Sequence, residues 1–321
     1  MTSEAAVLIV ADAPRAARGT GLDRAFEILC FTAATFLLAA LGGLIVSLMI
    51  GGWPAFAHFG VGFFFSAEWD PVKEIYGAAG AVTGTLVTAT LALIFALPLA
   101  LGVAIFLVEL CPAPLRRPIG TAVELLAGIP SIVYGMWGLF VFAPWFSKHV
   151  QMPIMMSATP GTLWETLTTG VPNGSGILSA SLILAVMILP FMAATLRELF
   201  LTIPPQVRES AYGLGSTTFE VIGKVSLPYI RTGAIGAVML GLGRALGETM
   251  AVTFIIGNSH GFPTSMFASG STIASTIANE FAEATGVLHT SSLIALGLVL
   301  FVITFIVLAL ARVLIGRQAN L

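Results

Sequence analysis

Six long apolar stretches make up most of this chain, and they restrict its fold more than any other feature of the sequence. Each holds about 20 or more mainly apolar residues, enough to cross a bilayer as a helix. They are residues 25–50, 81–108, 119–146, 177–196, 229–257 and 293–315. The runs are continuous rather than alternating, which excludes a membrane β-barrel. We therefore predict an all-α membrane protein with six transmembrane helices.

Composition excludes a water-soluble globular fold. Of the 321 residues, 57% are apolar and only 9% are charged, whereas soluble domains carry about 25% charged residues. The N-terminus lacks the pattern of a cleavable signal peptide, because its apolar stretch at residues 7–10 is short and is followed by Asp12 and Pro14. The first spanning stretch is therefore expected to remain in the protein.

Cysteines and histidines indicate neither a disulfide framework nor a metal site. The two cysteines, Cys30 and Cys111, lie in different parts of the sequence and are predicted to be free thiols. The four histidines lie in four separate loops or segment edges, at spacings that match no metal motif.

The positive charges predict the orientation. With the N-terminus in the cytoplasm, two of the 14 Lys and Arg residues, Lys73 and Lys148, lie outside, and Arg244 lies within a span. Eleven lie inside: Arg15, Arg18, Arg24, Arg116, Arg117, Arg197, Arg208, Lys224, Arg231, Arg312 and Arg317. Such a strong bias predicts that both termini of this inner-membrane protein lie in the cytoplasm.

Proline and aromatic residues mark irregular regions. The sequence Gly-Ile-Pro-Ser at 128–131 interrupts the third span, and Pro98 lies in the second. Backbone groups freed at Pro130 and Ser131 could line a solute path, or the break could be an ordinary kink. The aromatic-rich outer loop at 51–80 is expected to lie along the outer membrane interface.

The inner loop between the fourth and fifth spans, at about 201–228, carries a recognisable pattern. Glu209, Ser210 and Ala211 are followed by Gly215, and after a further stretch by Leu227 and Pro228. No phosphate-binding P-loop is present, because Gly223-Lys224 is followed by valine and position 218 is threonine. The chain is therefore not expected to hydrolyse ATP by itself.

This loop resembles the EAA motif of ABC importer permeases. Glu209, Ala211, Gly215, Leu227 and Pro228 have the spacing of the motif, while Ser210 stands at an alanine position and Val225 at an isoleucine position. In that family the segment docks on an ATPase subunit. The resemblance implies that these residues couple ATP hydrolysis in a partner to movement of the membrane helices.

Two charges lie deep in the fifth span, within Gly243-Arg244-Ala245-Leu246-Gly247-Glu248. A charge in mid-membrane costs several kcal/mol, so such residues are candidates for function. Their spacing of four residues predicts that Arg244 and Glu248 lie on one face of the helix. The pair could attract an anion in a shielded path, or it could be a structural ion pair between helices.

The fifth-span sequence, continuing to Ile256-Gly257-Asn258, resembles the PstC family of phosphate-specific permeases. So do Glu68-Trp69-Asp70-Pro71, the sequence at 128–135, and Ala278-Asn279-Glu280-Phe281. The likeness covers nearly the whole chain after about residue 24. It implies the type I ABC importer permease fold, and it implies that Arg244 and Glu248 take part in the phosphate path. The freed backbone at Pro130 and Ser131 is predicted to line the same path.

The resemblance also implies an assembly. The expected partners are a homologous permease resembling PstA, two ATPase subunits resembling PstB, and an extracytoplasmic phosphate-binding protein resembling PstS. ATP and Mg²⁺ would be used by the ATPase subunits, with no cofactor bound by this chain. The expected organisation is a cytoplasmic tail at 1–24, a first helix with its aromatic loop at 25–78, a core permease domain at 79–315 and a tail at 316–321.

Three alternatives remain at this level. The permease could serve another oxyanion, such as sulfate or molybdate, or it could be the sister phosphate subunit. A channel or secondary carrier would need no ATPase, and the EAA-like loop argues against it. A membrane enzyme lacks support, because no nucleophile motif or paired catalytic carboxylates appear near one membrane face.

Overall fold

The computed structural model describes residues 21–159 and 161–318. Residues 1–20 and 319–321, which belong to the two predicted cytoplasmic tails, lie outside the described residues, as do Arg15 and Arg18 of the charge count. The described elements are α1 (Gly21–Phe59), α2 (Gly62–Phe65), β1 (Trp69–Asp70), β2 (Ile75–Tyr76), α3 (Ala79–Ile105), α4 (Ala113–Ala127), α5 (Ser131–Trp137), α6 (Ala143–Phe146), α7 (Met152–Ser157), α8 (Leu163–Thr168), α9 (Ile177–Leu201), α10 (Pro205–Gly213), α11 (Thr218–Val221), α12 (Leu227–Leu246), α13 (Met250–Thr253), α14 (Ile273–Glu280) and α15 (Val287–Gln318). Among them, π-helical turns occupy Phe106–Leu110, Gly138–Phe142, Ser147–Gln151 and Ile222–Ser226.

The chain divides into two units, Met1–Ile50 and Gly51–Leu321. The described part of the first unit is the N-terminal portion of α1, which carries no charged residue after Glu27. Apolar residues lie on all its sides, as expected for a helix surrounded by lipid. The second unit contains every other described element.

Helix lengths agree with a membrane-spanning protein. Five helical stretches are long and apolar enough to cross a bilayer: Gly21–Phe59, Ala79–Leu110, Ile177–Leu201, Thr218–Leu246 and Val287–Val313. The predicted third span corresponds to the pair Ala113–Ala127 and Ser131–Ser157, which is bent by 88°. The prediction of six spans holds if this bent pair is counted as one, and the break at Pro130 lies where the sequence placed it.

Pro98 does not break its helix, contrary to expectation. It lies inside α3, which continues to Ile105 before changing into a π-helical turn. Ala96 and Ala100, on either side of the proline, are fully buried. Packing on both sides therefore holds the helix together across the missing backbone hydrogen bond.

Helices α3 and α9 pack together in the core of the second unit. On α3 the contact is made by small residues at helical spacing, all fully buried: Ala89, Ala92, Ala96, Ala100 and Ala104. Larger buried residues face them from α9, including Leu184, Ile188 and Met192. Alanines allow two helix backbones to approach closely inside a membrane protein.

The outer loop at 51–80 is more ordered than the sequence indicated. Helix α1 continues to Phe59, and β1 and β2 form a short antiparallel hairpin in which Trp69 pairs with Tyr76. Phe63 is fully buried and Trp69 is 9% exposed, in a second apolar cluster with Ile273 and Leu293. Phe63 and Trp69 therefore pack against later segments of the chain, and the position of this loop along the membrane interface stays a prediction.

Candidate functional site

The fifth span breaks between its two charges. Helix α12 ends at Leu246, and the chain turns through Gly247 before α13 begins at Met250. Glu248 lies in this break, where its Oε1 accepts a hydrogen bond from the backbone N–H of Ala251 at 3.2 Å. The expectation of one shared helix face is wrong, because the helix on which it rested ends before Glu248.

Arg244 is held by an aromatic ring rather than by a carboxylate. Its guanidinium carbon lies 5.7 Å from the centre of the Phe191 ring on α9, which is within cation–π distance. Among the described residues, no ion pair joins Arg244 to Glu248 or to another carboxylate. The side chain is half-buried. Its planar donors therefore remain available for an oxyanion.

Two helix breaks come together at this place. Helix α13, which follows Glu248, packs against α5 so closely that a Cβ on Gly135 would lie 3.0 Å from the Met250 carbonyl oxygen. Helix α5 begins at Ser131, directly after Pro130. The structure therefore packs the helix that follows the 128–131 break onto the helix that follows Glu248.

Tyr134 links the parts of this site. Its hydroxyl donates a hydrogen bond of 3.0 Å to the carbonyl oxygen of Leu126, across the break between α4 and α5. It also lies within electrostatic range of Arg244. Tyr134 lies in the sequence at 128–135 that carries the resemblance, but no role followed from it, since a lone tyrosine in an apolar run has no distinctive pattern.

The EAA-like segment forms a short helix that ends in a tight turn. Glu209 and Ser210 are exposed on α10, whereas Ala211 is 9% exposed. Gly215 has a φ of +85°, and its N–H bonds to the Tyr212 carbonyl oxygen at 2.9 Å. The next N–H, of Ser216, bonds to the carbonyl oxygen of Ala211 at 3.2 Å. This pattern is a Schellman motif, in which glycine is favoured because the backbone is left-handed.

After that turn, the chain leads into the fifth span. Leu227 begins α12, and Pro228 follows directly after the π-helical turn Ile222–Ser226, within the continuous helical stretch Thr218–Leu246. Two large apolar side chains of the intervening region face outwards, with Leu214 88% exposed and Phe219 86% exposed. Exposed apolar side chains of this size, next to the exposed face of α10, are typical of a protein-binding surface.

A second cluster ties two distant segments together around Glu280. This carboxylate accepts hydrogen bonds from Trp69 Nε1 at 2.8 Å and His289 Nε2 at 2.9 Å, and His260 Nε2 lies 3.0 Å from it. The Tyr76 ring stacks on His289 with a centroid distance of 5.2 Å. Two of the sequence motifs quoted above, one containing Trp69 and the other Glu280, thus meet in space.

Acid should weaken this cluster. Burial, the largest influence, raises the pKa of Glu280, but the hydrogen bonds from His260, Trp69 and His289 together hold that pKa below its ordinary value of 4.5. A carboxylate with a lowered pKa stabilises the folded state above its unfolded pKa, and this contribution is lost as the pH falls through the folded value. We expect thermal unfolding of the purified protein to show this loss below about pH 4.5.

The variant Glu280→Gln should be less stable at pH 7 by about 2 kcal/mol, since hydrogen bonds to a charged acceptor are replaced. It should also lack the acid-dependent step. Glu283→Gln is the matched control, because Glu283 lies one turn further on and is exposed. An unchanged acid-dependent step in Glu280→Gln would contradict this assignment.

Comparison with known proteins agrees with the family resemblance of the sequence. Residues 96–320 match the family model described as the inner membrane component of binding-protein-dependent transport systems. The phosphate transport system permease protein PstC of Mesorhizobium japonicum is 54% identical over 297 residues, covering 92% of this chain and 90% of the relative. PstC of Pasteurella multocida is 52% identical over 284 residues, covering 88% of each chain.

The fold also matches solved transporters. A chain of a bacterial ABC transporter involved in the import of the acidic polysaccharide alginate superposes with a TM-score of 0.60 at 18% identity. The match covers 92% of this chain and 98% of that one. Such identity supports the fold alone, whereas the sequence relatives support a narrower assignment. The chain belongs to the binding-protein-dependent inner membrane transport components and, within them, to the PstC family of phosphate transport permeases.

Proposed function

We propose that this chain is the permease subunit of an ATP-driven importer of inorganic phosphate in the bacterial inner membrane. The observation that carries the proposal is Arg244, a cation held over Phe191 at the broken end of α12 without a carboxylate partner among the described residues. An unpaired cation inside an apolar protein is expensive, and an anionic solute would neutralise it. The names of the relatives, which are phosphate transport permeases, support phosphate as that anion.

Arg244 and Glu248 have different roles in this proposal. The Arg244 guanidinium presents a planar set of donors that matches two oxygens of an oxyanion. Glu248 uses Oε1 to accept from Ala251, and a carboxylate has further acceptor capacity. An ionised Glu248 could accept a hydrogen bond from a protonated phosphate oxygen, which sulfate lacks at neutral pH. Sulfate would instead face an unpaired acceptor, which gives selectivity.

Pro130 and Ser131 complete the proposed path. They lie at the break between α4 and α5, and α5 packs on α13 directly after Glu248. Backbone groups at broken membrane helices are freed from helical hydrogen bonds and can face a solute. Each of these residues is therefore assigned to the route between this subunit and a homologous permease resembling PstA.

Coupling to ATP hydrolysis is assigned to the loop at about 201–228. Glu209, Ser210 and Ala211 lie on α10, Gly215 forms its terminal turn, and Leu227 and Pro228 begin α12. We infer that two ATPase subunits resembling PstB bind here and use ATP and Mg²⁺, so that this chain has no catalytic role. An extracytoplasmic protein resembling PstS would deliver phosphate to the opposite side, with both termini of this chain in the cytoplasm.

The proposal is tested by uptake of labelled phosphate into vesicles that contain this chain with its partner subunits and binding protein. We expect ATP-dependent uptake that excess unlabelled phosphate competes and excess sulfate does not. Glu248→Gln should reduce the preference for phosphate over sulfate. Uptake of sulfate or molybdate instead would retain the permease class and reject phosphate, whereas uptake without ATP would indicate a channel or secondary carrier.

A further inference from the structure

A buried ion pair fastens the EAA-like helix to the ends of two core helices. Arg208 lies on α10, next to Glu209, but its side chain points inwards and is 19% exposed. Its Nη1 lies 3.2 Å from Oε1 of Glu109. Its Nη2 donates a hydrogen bond of 2.6 Å to the carbonyl oxygen of Phe200, near the end of α9. One side chain therefore holds together three segments.

Glu109 is a costly residue to keep at its position. It lies in the π-helical turn that ends the second span, and its side chain is only 6% exposed. Burying a carboxylate is strongly unfavourable unless a partner charge compensates for it. Replacing such a pair by apolar residues is often neutral or stabilising, so stability alone does not explain it.

The pair is incompletely hydrogen-bonded in this conformation. Glu109 Oε1 lies close to the guanidinium but without hydrogen-bonding alignment, and the buried Nε of Arg208 has no hydrogen-bond partner in the structure. Buried groups in this state gain free energy when a small shift aligns them. The strength of the ion pair between Glu109 and Arg208 can therefore change when α10 shifts.

An exposed pair in the same loop provides a contrast. Lys224 lies 3.1 Å from Glu220, with side-chain exposures of 75% and 41%. Both residues belong to the continuous helical stretch Thr218–Leu246. An exposed pair within one helix contributes little and connects no separate elements, whereas Glu109 and Arg208 connect α10 to the α3–α9 core.

We propose that Glu109 and Arg208 form the joint through which α10 moves together with α3 and α9 during transport. They are positioning residues that touch neither the solute nor, through these buried atoms, the ATPase. This inference rests on the proposed function. It adds that force applied to the exposed face of α10 reaches the membrane helices through this pair.

The test uses the whole complex in lipid nanodiscs and vesicles, with inorganic phosphate as the solute. ATP hydrolysis and phosphate uptake are measured on the same preparations, and the readout is phosphate imported per ATP hydrolysed. The variants are Glu109→Gln, Glu109→Asp and the exchange of both residues, Glu109→Arg with Arg208→Glu. Glu198→Gln is the matched control, since it removes a carboxylate that is 66% exposed from an ion pair with Arg197 on α9, outside the loop assigned to ATPase binding.

We expect Glu109→Gln to assemble, to retain ATP hydrolysis and to import about tenfold less phosphate per ATP, a size typical of coupling between sites. Glu109→Asp should show a smaller loss, the exchange should recover part of the ratio, and Glu198→Gln should match wild type. An unchanged ratio in Glu109→Gln would overturn the inference. So would failure of both Glu109→Gln and Glu109→Asp to assemble, because the pair would then be required for folding only.

Failure of the proposed function has a different signature. The wild-type complex would then import no phosphate, whatever the variants do. In that case the role of Glu109 and Arg208 is tested by the rate of ATP hydrolysis. The measured quantity is the increase in this rate when substrate-loaded binding protein is added. A wild-type increase that Glu109→Gln abolishes would support the joint, and an equal increase in both would overturn it.

Discussion

Replacing Arg244 by glutamine should reduce ATP-dependent phosphate uptake by about 100-fold or more. Loss of a charged donor that binds an oxyanion at a desolvated site costs about 2–5 kcal/mol, and every 1.4 kcal/mol is about a factor of ten. Glutamine keeps much of the apolar stem but removes the charge and the fork of donors. The measurement is the initial rate of labelled phosphate uptake at equal amounts of assembled complex.

Two further variants make this result specific. Arg244→Lys keeps the charge but presents a point donor, so uptake should fall to an intermediate level. Arg231→Gln removes an arginine from the first turns of the same helix, about 20 Å away along its axis, and should leave uptake within about twofold. Normal uptake in Arg244→Gln, with the complex intact, would return Arg244 to a structural role over Phe191.

The double substitution Leu214→Asp with Phe219→Asp should abolish association with the ATPase subunits. These side chains are 88% and 86% exposed, beside the exposed face of α10. Anchors at the centre of an interface contribute about 2 kcal/mol or more each, and here each would be replaced by a charge that must be desolvated. The measurement is co-purification of the ATPase subunits, followed by uptake in vesicles.

Val72→Asp is the matched control for this experiment. Val72 is 93% exposed, so the substitution is chemically similar, but it lies in the hairpin at 69–76, far from the EAA-like segment in sequence. We expect normal ATPase association in that variant. If the double variant also bound the ATPase normally, the docking surface would have to lie elsewhere on the chain.

The lengths of the apolar stretches predicted the spans well, because the thickness of the bilayer sets the length of a spanning helix. The break at 128–131 was also predictable, since glycine and proline in one short segment disfavour helix on both sides. The break at Gly247 was not, because Gly243 and Gly247 are equally compatible with a close helix contact. The prediction therefore continued the helix through Glu248, and it wrongly placed Arg244 and Glu248 on one face of that helix.

The cluster around Glu280 shows what local pattern cannot supply. Trp69, His260, Glu280 and His289 come from separate parts of the chain, so no spacing rule connects them. The joint between Glu109 and Arg208 has the same origin, although Glu109 directly follows an apolar run. A charge directly at the end of a spanning stretch, such as Glu109, is the signal that could have indicated an oppositely charged partner nearby.

The alanine contact between α3 and α9 has a mechanical consequence. The small alanines let the α3 and α9 backbones approach closely, and a densely packed interface tolerates little displacement, so the two helices are expected to move as one rigid unit. The chain is interrupted instead at 128–130 and 247–249. Changes of shape should therefore concentrate at those two interruptions, and Arg244 lies beside one of them.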